Sequence, residues 1–316
     1  MPTASRVPSL AVNVDLPPVP SANLRLGYTY MVIALLCFVG NSLLIHWSGD
    51  LPGADTWIAV TCRYVVGLTI VLALFLPGSR LQLAKMVENP LLIVRGLLGG
   101  VAIYIFYYTL PILGAGRATV INCGYILFAA MLAGPMLGER LSAVKGAWLA
   151  AGCLGIAILC SRAGSAGAGI SLMDVLAVLG ALMAAGVVIT IRQLSGSQHF
   201  STIFAAQCFF GLMISAVPAG RSLAQPTPLA WAVMLGGGVL AAAGQLSMTR
   251  AYRDLSVAKG SAVQMLLPVL VAIGGALIFH ERFTFIEMMG GALALIACWQ
   301  VLSAGNTRRR PVPVEE

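Results

Sequence analysis

Residues 116–141 read GRATVINCGYILFAAMLAGPMLGERL, and residues 258–283 read AKGSAVQMLLPVLVAIGGALIFHERF. The second segment lies on the first at a constant offset of 142 residues, taken from the numbering alone. Arg117 then meets Lys259, Thr119 meets Ser261, Asn122 meets Gln264, and Glu139-Arg140 meets Glu281-Arg282. Each copy runs from a basic residue through an apolar stretch to Glu-Arg, and a further apolar stretch follows. Matched polar positions inside two apolar runs are what a duplication leaves, because apolar positions interchange freely and polar ones in a membrane do not. The reading is of a chain built twice.

Outward from these segments, apolar runs of the length needed to cross a bilayer, about 20 residues, recur along the whole chain. They are expected near 27–47, 56–77, 90–112, 117–137, 142–160, 172–192, 200–219, 229–249, 257–278 and 283–303. The connections are short and carry breakers such as DLPGAD, PGSRLQ, SRAGSAG and AQPTP. The expected fold is therefore an all-α membrane protein of ten transmembrane helices in two five-helix repeats, 27–160 and 172–303. Five is odd, so the second repeat enters the membrane inverted, an arrangement typical of secondary transporters. Residues 1–26 are expected to form a disordered cytoplasmic tail and 304–316 a basic one, leaving no segment for a soluble domain.

Composition agrees. Hydrophobic residues make up 59% of the chain and charged residues only 9%, against about 25% in a soluble domain. So few charges cannot cover a water-exposed surface. The 35 glycines suit helices that approach closely in lipid. The net charge of +8 is explained by topology rather than by nucleic acid. With the N-terminus inside, Arg6, Arg25, Arg80, Lys85, Arg95, Arg140, Lys145, Arg192, Arg250, Arg253 and Arg308 to Arg310 lie at the cytoplasmic side, and Arg162, Arg221 and Arg282 outside. That bias follows the positive-inside rule and places both termini in the cytoplasm. Trp47, Trp57 and Trp231 fall near the outer interface. The seven cysteines sit in apolar stretches without ligand spacing and read as small buried hydrophobes. No cofactor or metal is expected.

The Gly-Glu-Arg-Leu at 138–141 and His-Glu-Arg-Phe at 280–283, each ending the fourth helix of a half, resemble the drug/metabolite transporter superfamily, and within it the EamA-type members. Arg63-Tyr64, Gly40-Asn41 and Pro268 add to the resemblance, which covers residues 27–303. It implies a ten-helix transporter whose substrate is an amino acid, a vitamin, a nucleoside-like compound, S-adenosylmethionine or a drug; the abundant Ala and Gly and the compact loops point to a cell inner membrane. CFVGNS in the first helix replaces the family's usual Trp-Gly pair, and Gly124-Tyr125 stands where a mid-helix Pro is common. These departures fall in helices that line the family's cavity, so the resemblance does not select a substrate.

Polar groups inside spans are functional candidates by default. Arg63 lies about two turns into the second helix, and a pair with Glu287 at similar depth is expected. Tyr104, Tyr107 and Tyr108 share a face of the third helix, Asn122 and Tyr125 one of the fourth, Gln245 and Thr249 one of the eighth, and Ser261, Gln264 and Pro268 one of the ninth. With Asn41 they suit a flat or partly aromatic ligand, since rings stack and amides read polar edges. The expected substrate-binding set is Asn41, Arg63, Tyr104, Tyr108, Asn122, Tyr125, Gln245 and Gln264. No Asp or Glu sits mid-span and His46, His199 and His280 lie at helix ends, so no proton relay is visible. Gly96 and Gly100 mark a close helix contact within one chain, or between two in a homodimer. A membrane enzyme would need a nucleophile with its base, or a metal motif, and neither HExxH nor GxSxG occurs. A channel or a non-transporting receptor is the alternative to a carrier that moves a small molecule across the bilayer.

Overall fold

The computed structural model describes residues 23–76, 81–137, 142–161, 169–194, 198–251, 254–255, 260 and 263–303. In these the chain forms α1 (Leu24–Ser48), α2 (Thr56–Phe75), a short α3 (Leu83–Glu88), α4 (Pro90–Leu113), α5 (Ala115–Cys123), α6 (Tyr125–Leu137), α7 (Ala143–Cys160), α8 (Leu172–Leu194), α9 (Phe200–Gly220), α10 (Pro228–Ala251), α11 (Leu267–Ile278) and α12 (Phe285–Ser303). Among the described residues nine spans are long and apolar enough to cross a membrane, α5 and α6 counting as one, and α11 is a shorter apolar helix within the expected ninth span, 257–278. The protein is all-helical and multi-pass.

The helices begin where the sequence supplies caps. Asp55 Oδ1 accepts from the N–H of Trp57 and Ile58. Asn89 Oδ1 accepts from Leu91 N, with Pro90 preset at the first helical position. Ser142 Oγ accepts from Lys145 N at 3.2 Å, and Thr284 Oγ1 accepts from Glu287 N at 3.3 Å. These two caps stand 142 residues apart, so the offset of the repeat carries on into the fifth and tenth spans. The fourth span breaks at Gly124, whose N–H bonds to the Ile121 carbonyl three residues back, and α6 starts anew. Hydropathy predicts one helix over 117–137, because it does not register a single tightened turn. Nor does hydropathy register α3, which has six residues.

Packing reproduces the duplication. With α1–α2–α4–α5/α6–α7 matched to α8–α9–α10–α11–α12, the contact of α1 with α10 has its mate in α4 with α8. That of α4 with α9 has its mate in α2 with α10, while α2–α9, α5–α11 and α7–α12 pair each helix with its own copy. This is the pattern of two inverted halves about a pseudo-two-fold axis. Large apolar side chains point outward all round, among them Leu74, Leu154, Val217, Leu277 and Phe285. In water they would be a liability; in hydrocarbon they meet their own solvent. Gly96 and Gly100 let α4 close on α9: a Cβ on Gly96 would lie 2.6 Å from Phe210 Cδ2, and one on Gly100 3.1 Å from Gly211 Cα. The glycines thus serve an internal contact. Termini 1–22 and 304–316, the Glu139-Arg140 motif, Lys259 and Ser261 lie outside the described residues.

Candidate functional site

Two ends of the bundle can be told apart without reference to sidedness. One carries the α1–α2 turn, and there the Thr227 N–H bonds to the Pro52 carbonyl. The other carries the α2–α3 connection, and there the Gln82 N–H bonds to Thr202 Oγ1. Between them run three polar clusters.

The first is a chain of three side chains from three helices. Arg63 Nη1 donates to Tyr107 Oη at 3.0 Å, and Tyr107 Oη donates to Asn41 Oδ1 at 2.7 Å. The guanidinium carbon also stands 5.7 Å from the Tyr107 ring centroid, within reach of cation–π attraction. All three residues are buried, and no carboxylate pairs with Arg63 among the described residues. The second cluster lies towards the α2–α3 end. Arg95 Nη2 donates to Gln207 Oε1 at 3.0 Å, and the neighbouring Tyr64 Oη donates to the Gly99 carbonyl at 3.2 Å.

The third cluster closes the α1–α2 end. Arg117 reaches Asp174 through Nε at 3.2 Å and Nη2 at 2.9 Å, Glu287 through Nη1 at 2.7 Å, and the Cys160 carbonyl through Nη2 at 3.0 Å. Each carboxylate uses its other oxygen to cap its own helix. Asp174 Oδ2 accepts from Ser171 N and Oγ, and Glu287 Oε2 from Thr284 N and Oγ1. Beside this triad, Glu281 accepts from the N–H groups of Ala115 and Gly116 at the start of α5, where the helix dipole favours an anion. Two local devices aim it there. His280, in the left-handed region at φ 56, turns the chain just before Glu281, a conformation His tolerates better than most residues. Gly114 at φ 91 turns α4 into α5, and a Cβ there would lie 3.0 Å from the Glu281 carboxylate. His46 completes the clasp. Its Nδ1 lies 3.1 Å from the Leu110 carbonyl, which only accepts, so Nδ1 carries the proton. Nε2 faces Glu281 Oε1 at 3.4 Å, an ion pair when the ring is doubly protonated.

The expected pair of Arg63 with Glu287 does not form. Glu287 is the third residue of α12 and Arg117 the third of α5, so these two meet at the bundle end, while Arg63 lies about 10 Å deeper along α2. Of the other sequence candidates, Tyr104 stacks on Trp57 with ring centroids 3.8 Å apart and on Tyr108 at 5.9 Å. Tyr107 turns away from them to Arg63. Gln264 Nε2 lies 3.2 Å from Met31 Sδ, and the Gln245 carbonyl accepts from Thr249 Oγ1 at 2.7 Å. Asn122, Tyr125, Gln245 and Gln264 are half-buried. Arg95, Gln207 and Asp174 were not singled out from the sequence. Two signals were there to be read: the Ser-x-x-Asp at 171–174 and Thr-x-x-Glu at 284–287, both capping boxes, and the one amide inside the apolar run of α9. Among the described residues no cluster of three or more His, Cys, Asp or Glu could hold a metal ion.

A family model described as EamA-like transporter family matches twice, over residues 25–161 and 171–303. The chain belongs to the EamA-like transporter family. Two curated relatives are the pseudopaline exporter CntI of Pseudomonas aeruginosa strains UCBPP-PA14 and PAO1. They are 26% identical over 281 and 277 residues, covering 87% of this chain and 95% of each relative. A solved crystal structure of a protein, 15% identical, covers 90% of this chain and 99% of its own with a TM-score of 0.57; it supports the fold alone. The EamA-like family match points to a membrane transporter rather than an enzyme.

The Glu281 clasp gives a direct test. Glu281→Gln keeps an acceptor but removes the charge from the start of α5, and the exchange of the Ala115 and Gly116 amides is expected to speed up. The stability of the α1–α2 end should drop by about 1 kcal/mol. Hydrogen exchange on protein in lipid nanodiscs measures this, and unchanged rates at those amides would show that the clasp holds nothing.

Proposed function

We propose that this chain is a carrier that exports a small organic metabolite by alternating access, from a cell inner membrane with both termini in the cytoplasm. In this reading the α1–α2 end faces outward and the α2–α3 end faces the cytoplasm, as the distribution of Lys and Arg supports. The observation that carries the reading is the polar file of Asn41, Tyr107, Arg63, Gln207 and Arg95, buried between helices of both halves with no acid against it among the described residues. A protein that only needed to pack would not bury such groups in lipid. The Trp57–Tyr104–Tyr108 stack, with Asn122, Tyr125, Gln245 and Gln264, supplies further aromatic and amide surface for a ligand. Export is the direction printed in the names of the two relatives. Rocking of one half against the other would break the Arg117 and Glu281 contacts at the outer end and remake contacts at the inner one.

The test is paired metabolite profiling of cells and medium in a deletion strain and an overexpressing strain. A compound that accumulates in the medium on overexpression, and in the cells on deletion, is the expected outcome. The reverse pattern would make the protein an importer. No change in any compound would remove the carrier reading. Saturable flux with counterflow in reconstituted vesicles separates a carrier from a channel, whose flux rises linearly.

A further inference from the structure

The direction in which Arg95 points is at odds with its position. It is the sixth residue of α4, close to the α2–α3 end. Helical side chains lean back towards the N-terminus of their own helix, and a long basic one near a membrane interface snorkels out to it. Both effects would carry this guanidinium towards the α2–α3 end. Instead it runs the other way. A Cβ built on Gly99 would lie 2.5 Å from Arg95 Nη1 and 3.0 Å from Gln207 Nε2, so the charge sits one turn deeper than its own Cα. Gly99 stands about 14 Å along a helix of about 36 Å, which places the charge towards the bilayer centre. Arg95 is 3% exposed. Only Nη2 has a partner, Gln207; Nε and Nη1 are buried with no hydrogen-bond partner among the described residues, and no carboxylate stands against it.

Arg63 repeats the pattern further along. Its partner Tyr107 lies eight residues beyond Gly99 on α4, about 12 Å by helical rise, and it too lacks a carboxylate among the described residues. Tyr64, bonded to the Gly99 carbonyl, stands between the two cations. Compare Arg117, equally buried, whose guanidinium is shared by two carboxylates. Where this chain needs an arginine for structure, it provides acids. Along the polar file it provides neutral acceptors, and at Arg95 it leaves two buried donors unused in a medium where an unpaired cation is costly.

We propose that Arg95 and Arg63 form a two-step anion site and that the substrate is a small organic anion carrying carboxylate groups, taken up at Arg95 and passed to Arg63. A carboxylate is the natural match for a guanidinium, whose planar fork binds it through two parallel hydrogen bonds. The stacked rings beside Tyr107 would accommodate the rest of the molecule. This inference rests on the carrier reading above and narrows its substrate class.

The experiment compares strains expressing wild type, R95Q and R95K, sorting every compound that moves with wild-type expression by its charge at neutral pH. The purified proteins are followed by heating in detergent. The expected result is that the transported compounds are carboxylates. R95Q should lower their appearance in the medium about tenfold or more, the loss of a hydrogen bond to a charged group, while R95K, which keeps the charge but not the fork, should fall between. R95Q should melt no lower than wild type, because it removes a buried cation that no acid balances. Neutral or cationic transported compounds would overturn the anion site and leave the carrier standing. R95Q that transports normally would do the same. R95Q that melts well below wild type would make Arg95 a structural residue. No compound moving with wild-type expression would remove the carrier reading first, and the anion site with it.

Discussion

Replacing Arg117 by Gln is expected to cost about 3–5 kcal/mol of stability, the range for breaking a buried ion pair by removing one partner. The guanidinium joins Asp174 on α8, Glu287 on α12 and the Cys160 carbonyl at the end of α7 to α5, so one side chain fastens both halves. Without it, Asp174 Oδ1 and Glu287 Oε1 lose their charged partner, although Oδ2 and Oε2 keep their caps. Arg117→Lys should fall between: it restores the charge but has no planar fork to reach three acceptors at once. Removing the whole group together, as Arg117→Met with Asp174→Asn and Glu287→Gln, should recover much of the loss, because apolar or neutral replacement of a complete buried ion pair is often tolerated. Thermal midpoints in detergent, with expression followed by size exclusion, measure the series. If Arg117→Gln melts with wild type, the triad contributes nothing to stability. The contrast with R95Q, expected to melt no lower than wild type, is the sharpest feature of the pair: two buried arginines, one balanced by acids and one not.

The duplication was legible because polar residues inside membrane spans are few and stay in place. Arg117, Thr119 and Asn122 matched their copies at one offset, and the structure extends that offset to the caps Ser142 and Thr284. The span boundaries were legible for the same reason that hydropathy works at all: lipid leaves only helices. What hydropathy averages away is the single turn, hence the missed break at Gly124. The site was less legible. Arg63 was found by depth alone, but depth does not say which helices are neighbours, and Glu287 found Arg117 instead. Arg95 was counted as an interfacial charge because counting assumes that basic side chains near helix ends snorkel; the direction a side chain takes is set by Gln207 on another helix. Tyr104, Tyr107 and Tyr108 share a broad face, yet successive residues are turned by about 100°. Tyr107 and Tyr108 therefore look onto different neighbours, one joining Arg63 and the other the stack on Trp57.

At the seam between α7 and α12 a single methyl group should do large damage. Gly155 and Gly290 face each other across it. A Cβ on Gly155 would lie 2.6 Å from the backbone N of Ala294 and 2.8 Å from the Gly290 carbonyl oxygen; one on Gly290 would lie 2.8 Å from the backbone N of Leu159 and 2.9 Å from the Gly155 carbonyl oxygen. The obstacles are backbone atoms, which no rotamer change can move. In membranes such backbone-to-backbone approach is itself the source of helix association, since lipid tails compete equally well for side chains. Gly155→Leu must push α12 away along its length, at a cost of at least the 1–3 kcal/mol or so typical of overpacking, and it gives up the close contact besides. Gly155→Ala should already lower the melting point and Gly155→Leu should abolish a monodisperse protein, whereas Gly146→Ala on the same helix, where a Cβ meets nothing within 4 Å, should be silent. The same seam carries Cys160 to Arg117 at one end, so loosening it also loosens the triad. A Gly155→Leu variant that folds and melts as wild type would mean that α7 and α12 do not approach at that point. Lost stability in Gly146→Ala would show that the helix tolerates no change of any kind, and the effect at Gly155 would then not be one of contact.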